Sequence, residues 1–161
     1  MKVIFLDVDG VLNCGSSQAR CEGFIGIDND KAKRLRTIVE RTDAKMVLTS
    51  TWKAFWFPID KEDQDELANY LDRKLKREGL RILDKTKGEG MDRGKSILEW
   101  MNSRNVENFV ILDDETFDYR KQGLLPYLVK STFYGDNGGL QDNHVEIAIQ
   151  ILNQESKGSV E

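Results

Sequence analysis

The chain reads as an α/β protein on a doubly wound, parallel, five-stranded sheet, and three observations predict it. Short apolar runs recur along the sequence at Val3–Leu6, Lys45–Leu48, Leu80–Leu83, Phe109–Leu112 and Leu128–Lys130. Unbroken runs of this length suit strands buried on both faces. Between the runs, apolar residues recur with helical spacing, and strand alternating with helix indicates parallel pairing. Three of the runs end in reactive side chains, at Asp7, Thr49-Ser50-Thr51 and Asp113-Asp114. The carboxyl edge of an open α/β sheet is where ligands bind.

At 161 residues with ordinary apolar and charged content, the chain fits one domain, expected over 1–154 with a frayed tail at 155–161. The net charge of -4 provides no general attraction to nucleic acid or an anionic membrane, though a local basic patch stays open. No apolar stretch is long enough for a signal peptide or membrane span, so a cytoplasmic location without membrane contact is expected. No obligate protein partner is evident. Cys14 and Cys21, with His144 the single histidine, make neither a disulfide framework nor a zinc site.

Taken in order, Val3–Leu6 forms the first strand and delivers Asp7 to its end, with Asp9 one residue further and Gly10 allowing a turn. Residues 13–27 have no period and read as an irregular loop or small flap beside Asp9. Asp28 or Asn29 caps a helix through about Arg41, with Ala32, Leu35, Ile38 and Val39 inward. The second strand, Lys45–Leu48, ends in three hydroxyls. Trp52, Phe55, Trp56 and Phe57 follow. Four aromatics in six residues are expected mostly to pack, with Trp52 the exception by position. A charged helix is predicted from about Lys61 to Arg77, stopped by Gly79. After a third strand at Leu80–Leu83, a glycine-rich segment opens a helix bearing Ile97, Leu98 and Met101. Arg93 and Lys95 lie at its start, where cations oppose the macrodipole and so hint at an anion nearby. Phe109–Leu112 delivers Asp113-Asp114, Leu128–Lys130 is a weaker fifth strand, and a last helix starts near Asn143.

If the sheet forms in this way, Asp7, Asp9, Asp113 and Asp114 gather at one rim. Two like charges about 4 Å apart repel by about 4 kcal/mol at an effective dielectric of about 20. Acidic oxygens gathered so suit Mg²⁺, which takes a few carboxylates plus substrate phosphate. Hydroxyls from Thr49 and Ser50 and a cation from Arg93 or Lys95 would hold phosphate oxygens, completing the parts of phosphoryl transfer. No Walker loop is present, which opposes nucleotide-triphosphate binding of that kind.

Asp7-Val8-Asp9-Gly10-Val11 resembles the first motif of the haloacid-dehalogenase-like (HAD) superfamily of phosphatases and phosphotransferases, whose sheet is Rossmann-like. Thr49-Ser50 resembles the second motif, Arg93 or Lys95 the third, and Asp113-Asp114 the fourth. Leu48-Thr49-Ser50-Thr51-Trp52, Arg93-Gly94 with Ile97 and Trp100, and Ile111–Asp114 are similar to small HAD domains of bacterial and phage proteins, some fused to RNA-repair modules. The resemblance implies that Asp7 attacks phosphorus and binds Mg²⁺ through its other oxygen. Asp9 would act as acid and then base, with its backbone carbonyl on the metal. Asp113 would be the other metal ligand, supported by Asp114. Ser50, preferred to Thr49 by register, would hold the phosphoryl group with backbone N–H groups near Val8 and Thr51. Arg93 fits the narrow family and Lys95 the wider one. Members acting on carbon–halogen bonds lack an acid at the position of Asp9, which therefore points to phosphate. The cap that closes over small substrates is minimal or absent, since only 13–27 and the segment from Trp52 to about Arg77 could serve. An open site implies a bulky phosphomonoester, such as a nucleic-acid end.

Three rivals stand beside this reading. A small-metabolite phosphatase or nucleotidase would use the same chemistry under a flap. A signalling receiver domain shares the fold and its acids, but its acceptor aspartate lies in mid-chain, unlike Asp7. A phosphate- or metal-binding module without catalysis is the non-enzyme alternative.

Overall fold

The computed structural model describes residues 1–154, so the tail expected at 155–161 lies outside them. The first strand, β1 (Lys2–Leu6), is central, and its side chains are divided between two cores. Ile4 and Leu6 pack with one set of apolar residues, Val3 and Phe5 with the other. Full burial on both faces is what an uninterrupted apolar run needs, at about 1.5–3 kcal/mol for each large side chain.

Two minimal strands follow in the flap, β2 (Arg20–Cys21) antiparallel to β3 (Phe24–Ile25). Next come α1 (Asn29–Thr42), β4 (Lys45–Leu48) and α2 (Glu66–Lys76). Asp28 sits at the cap position of α1 without capping it: its carboxylate accepts from Ser17 Oγ at 2.6 Å and pairs with Lys31 Nζ at 3.0 Å. The helix expected from Lys61 starts five residues later, after a single 3-10 turn at Lys61–Asp63. Asp65 sets the start, its Oδ1 accepting from the Ala68 N–H at 2.9 Å. The chain continues through β5 (Ile82–Lys85), α3 (Arg93–Asn102), β6 (Asn108–Asp113), β7 (Leu128–Lys130) and α4 (Asp142–Leu152).

The sheet order is β5-β4-β1-β6-β7 with every neighbouring pair parallel. The buried faces of α1, α2 and α4 join the core of Ile4 and Leu6, whereas α3 and the segment carrying Tyr119 and Leu124 cover the opposite face. This is the doubly wound architecture the apolar runs predict. The third strand is displaced: β5 begins at Ile82, not Leu80, and so ends at Lys85 with Thr86 next. Among the described residues no helix is long and apolar enough to cross a membrane.

Order reverses between β1 and β6, each of which leads to a different half of the sheet. Crevices at such switch points are where open α/β sheets hold ligands. Leu6 pairs with Leu112, and the Asp7 N–H donates to the Leu112 carbonyl at 3.0 Å, so Asp7 and Asp113 leave adjacent strands side by side.

Candidate active site

Asp7, Asp113 and Asp114 bring carboxylate oxygens within 4.8 Å of one another at that switch point. Asp7 and Asp113 are buried and Asp114 partly so. Burial, reinforced by repulsion from Asp113, holds the Asp7 carboxyl well above the usual range, with Arg93 opposing. The same two causes push Asp114 up to about 6. Glycine at position 10 serves this arrangement twice: its φ is +83°, and a Cβ there would collide with the Asp114 carboxylate. The Ser131 hydroxyl donates to the Gly10 carbonyl and its N–H to the Asp113 carbonyl at 3.1 Å, tying the turn after β1 to the end of β7.

Arg93 enters the cluster from the first residue of α3. Its Nη1 lies 3.0 Å from both Asp7 Oδ1 and Asp113 Oδ2, and its guanidinium rests 4.2 Å above the Phe117 ring. Asp113 Oδ2 also accepts from the Tyr119 hydroxyl at 2.8 Å, and its Oδ1 from the Glu115 N–H at 3.0 Å. Beside that carboxylate and out of water, the Tyr119 hydroxyl keeps its proton far above the ordinary tyrosine range. Lys95, the other candidate cation, is not brought to the cluster. It is exposed, and its backbone N–H donates to Asp118 Oδ2 at 3.0 Å. Asp118 Oδ1 accepts from the Gly94 N–H at 2.6 Å. The anion anticipated at this helix start is thus Asp118, and Arg93 is free to turn inward.

Asp9 also departs from the expected gathering of four acids. Its carboxylate stands apart from the cluster, accepting from Asn13 Nδ2 at 2.9 Å and from Trp52 Nε1 at 3.2 Å. The metal assignment of Asp9 therefore does not extend to its side chain. Asn13, fully buried, is a residue the sequence reading missed: it also accepts from the Gly10 N–H at 3.0 Å and donates to the Gly26 carbonyl at 2.9 Å. Trp52, expected to stand out from the packing, is buried; the exposed aromatic of that group is Phe55.

At the end of β4, the Ser50 hydroxyl accepts from the Trp52 N–H at 3.2 Å and starts the 3-10 turn Thr51–Phe55. Thr49 continues the ladder, its N–H donating to the Leu6 carbonyl at 2.9 Å, and its buried hydroxyl has no partner among the described residues. An unsatisfied buried hydroxyl costs about 1–3 kcal/mol. Thr49 lines a cavity of about 590 Å³ together with Thr51, Lys53, Lys85, Thr86 and Arg93. The Lys53 ammonium donates to the Thr86 hydroxyl at 2.9 Å, and Lys85 to the Lys53 carbonyl at 2.8 Å. Burial, with Arg93 and Lys85 nearby, brings the Lys53 pKa down to about 8. Lys85 was missed because the third strand was placed two residues early, which hid the basic end of β5 from the rim; Lys53, in the turn after β4, carries no sequence signal of its own.

Three close carboxylates, two of them buried, are hard oxygen donors that repel one another, and such a set fits a hard divalent cation such as Mg²⁺. Cys14 and Cys21 are both free thiols, and His144 serves α4, its Nδ1 accepting from the Gln141 N–H at 2.9 Å.

Residues 3–145 match the family described as the HAD domain in Swiss Army Knife RNA repair proteins. Neither the curated proteins nor the solved structures contain a match.

Proposed function

Because the chain belongs to the HAD domain family of Swiss Army Knife RNA repair proteins, we propose that it is a Mg²⁺-dependent phosphomonoester hydrolase acting through Asp7. The observation that carries this reading is the Arg93 guanidinium held between Asp7 and Asp113, with Asp114 alongside. One cation and three acids around a single point suit a phosphoryl group entering between them.

In this reading an Asp7 carboxylate oxygen attacks phosphorus, and the ester oxygen leaves with a proton from Asp9, giving an aspartyl-phosphate and an alcohol. Asp9, now ionised, takes a proton from water as that water attacks the aspartyl-phosphate, releasing phosphate and restoring Asp7. Asp9 is suited to this traffic because Asn13 and Trp52 hold it outside the acid cluster. Arg93, and the Thr49 or Ser50 hydroxyl, would bind the phosphoryl oxygens. Mg²⁺ held by Asp7 and Asp113, with Asp114 in support, would offset the negative charge of these acids and of the phosphoryl group.

The substrate in this reading is a terminal phosphate on a nucleic acid. Support comes from the family's description and from the small flap, whose strands span only two residues each. The loops leaving the carboxyl ends of β1, β4, β5 and β7 also carry exposed Phe24, Phe55, Met91 and Tyr134, which suit contact with bases. With Mg²⁺, purified protein is expected to release phosphate from 3′- or 5′-phosphorylated oligonucleotides, and Asp7→Asn to abolish it. Efficient cleavage of small sugar phosphates with oligonucleotides untouched would replace this substrate by a metabolite. Absence of any Mg²⁺-dependent turnover would leave the binding module.

A further inference from the structure

The cavity lined by Thr49 and Arg93 extends away from the acid cluster to Lys53, Lys85, Thr86 and Lys87. At about 590 Å³ it far exceeds the space of one phosphoryl group and falls within the range of sites for whole small ligands. Its far wall is basic. Two of its three lysines have neutral partners, a hydroxyl for Lys53 and a backbone carbonyl for Lys85. Glu89 and Asp92, also in its lining, offset only part of the charge. Lys53 is half-buried, and Arg93 and Lys85 help burial to lower its proton affinity. Crowded cations bonded only to neutral oxygens are an arrangement that a bound anion relieves. The buried, unpartnered Thr49 hydroxyl lines the same cavity and, independently of the lysines, points to a polar ligand there.

We propose that Lys53 and Lys85 form a second anion subsite, so that the substrate carries two phosphates, one reacting at Asp7 and one held unreacted by these lysines. The inference rests on the phosphatase reading for the identity of the first phosphate. The second group is either the phosphodiester next to a terminal phosphate or the other phosphate of a small bisphosphate. Lys53 is then a residue that selects substrate rather than one that reacts.

Equilibrium binding to the Asp7→Asn protein tests this with three probes: adenosine 5′-monophosphate, adenosine 3′,5′-bisphosphate and a 5′-phosphorylated dinucleotide. The two probes with a second phosphate group are expected to bind at least about tenfold more tightly than the monophosphate, as an added charge-assisted contact would give. Lys53→Gln should bring that ratio to within about twofold, and Lys53→Arg should retain most of it, separating charge from packing. A dinucleotide bound as tightly as the bisphosphate identifies a nucleic-acid end; preference for the bisphosphate alone identifies a small molecule. Equal binding of mono- and bisphosphate, or a ratio unmoved by Lys53→Gln in a folded protein, overturns the subsite. Turnover by the wild-type protein is measured separately. Turnover without the preference removes the subsite and keeps the phosphatase, whereas preference without turnover does the reverse.

Discussion

The Trp52 indole N–H donates to Asp9 Oδ2 at 3.2 Å, joining the loop after β4 to the acid that follows β1. Asn13 holds the other oxygen, so the carboxylate is fixed from two sides.

If Asp9 is the proton donor, its loss matters most when the leaving group is a poor one. Asp9→Asn is expected to slow hydrolysis of an alkyl or ribose phosphate by about 100-fold or more and of an aryl phosphate much less. Trp52→Phe keeps an aromatic side chain but removes the indole N–H, so a loss nearer tenfold in kcat is expected, about one hydrogen bond to a charged group. Equal slowing of alkyl and aryl substrates by Asp9→Asn would remove Asp9 from the acid role.

The acid cluster makes stability depend on pH and metal together. Asp114 titrates at about 6 in the fold against about 3.9 in an unfolded chain. Asp7 is shifted in the same direction. The folded state therefore binds more protons between these values, so this contribution is present at low pH and is lost as pH climbs from about 4 to 6. In chelator-treated protein, Asp114→Asn is expected to gain Tm relative to wild type across that window. Adding Mg²⁺ at pH 7 should raise the wild-type Tm and that of Asp114→Asn less. A wild-type Tm indifferent to Mg²⁺ at pH 7 would mean that the cluster holds no such ion.

Asp118 caps α3 from a distant segment through two backbone N–H groups, and a Cβ at Gly94 would crowd its carboxylate at 3.0 Å. Asp118→Ala is expected to cost about 1–2 kcal/mol in urea denaturation. It should also raise KM for phosphorylated substrate, since the same turn aims Arg93. An unchanged denaturation midpoint would show that the cap contributes nothing.

What the sequence alone determined follows from local pattern. Apolar runs buried on both faces suit strands covered by helices, so the five strands of the main sheet, their parallel pairing and the delivery of Asp7, Thr49 and Asp113 to one edge were legible from residues a few positions apart. Boundaries set by side chains elsewhere were less legible: α2 begins where Asp65 can cap it, and β5 runs two residues further than its apolar run. Tertiary structure alone set which of Arg93 and Lys95 reaches the acids, because the anion at that helix start, Asp118, lies 24 residues from Gly94. It alone took the Asp9 carboxylate out of the acid cluster, since the indole that holds it lies 43 residues away in a different loop. It likewise gathered Lys53, Lys85 and Arg93 around one cavity. Periodicity tells a residue which way to face, but the partner it meets there depends on how distant strands are ordered in the sheet.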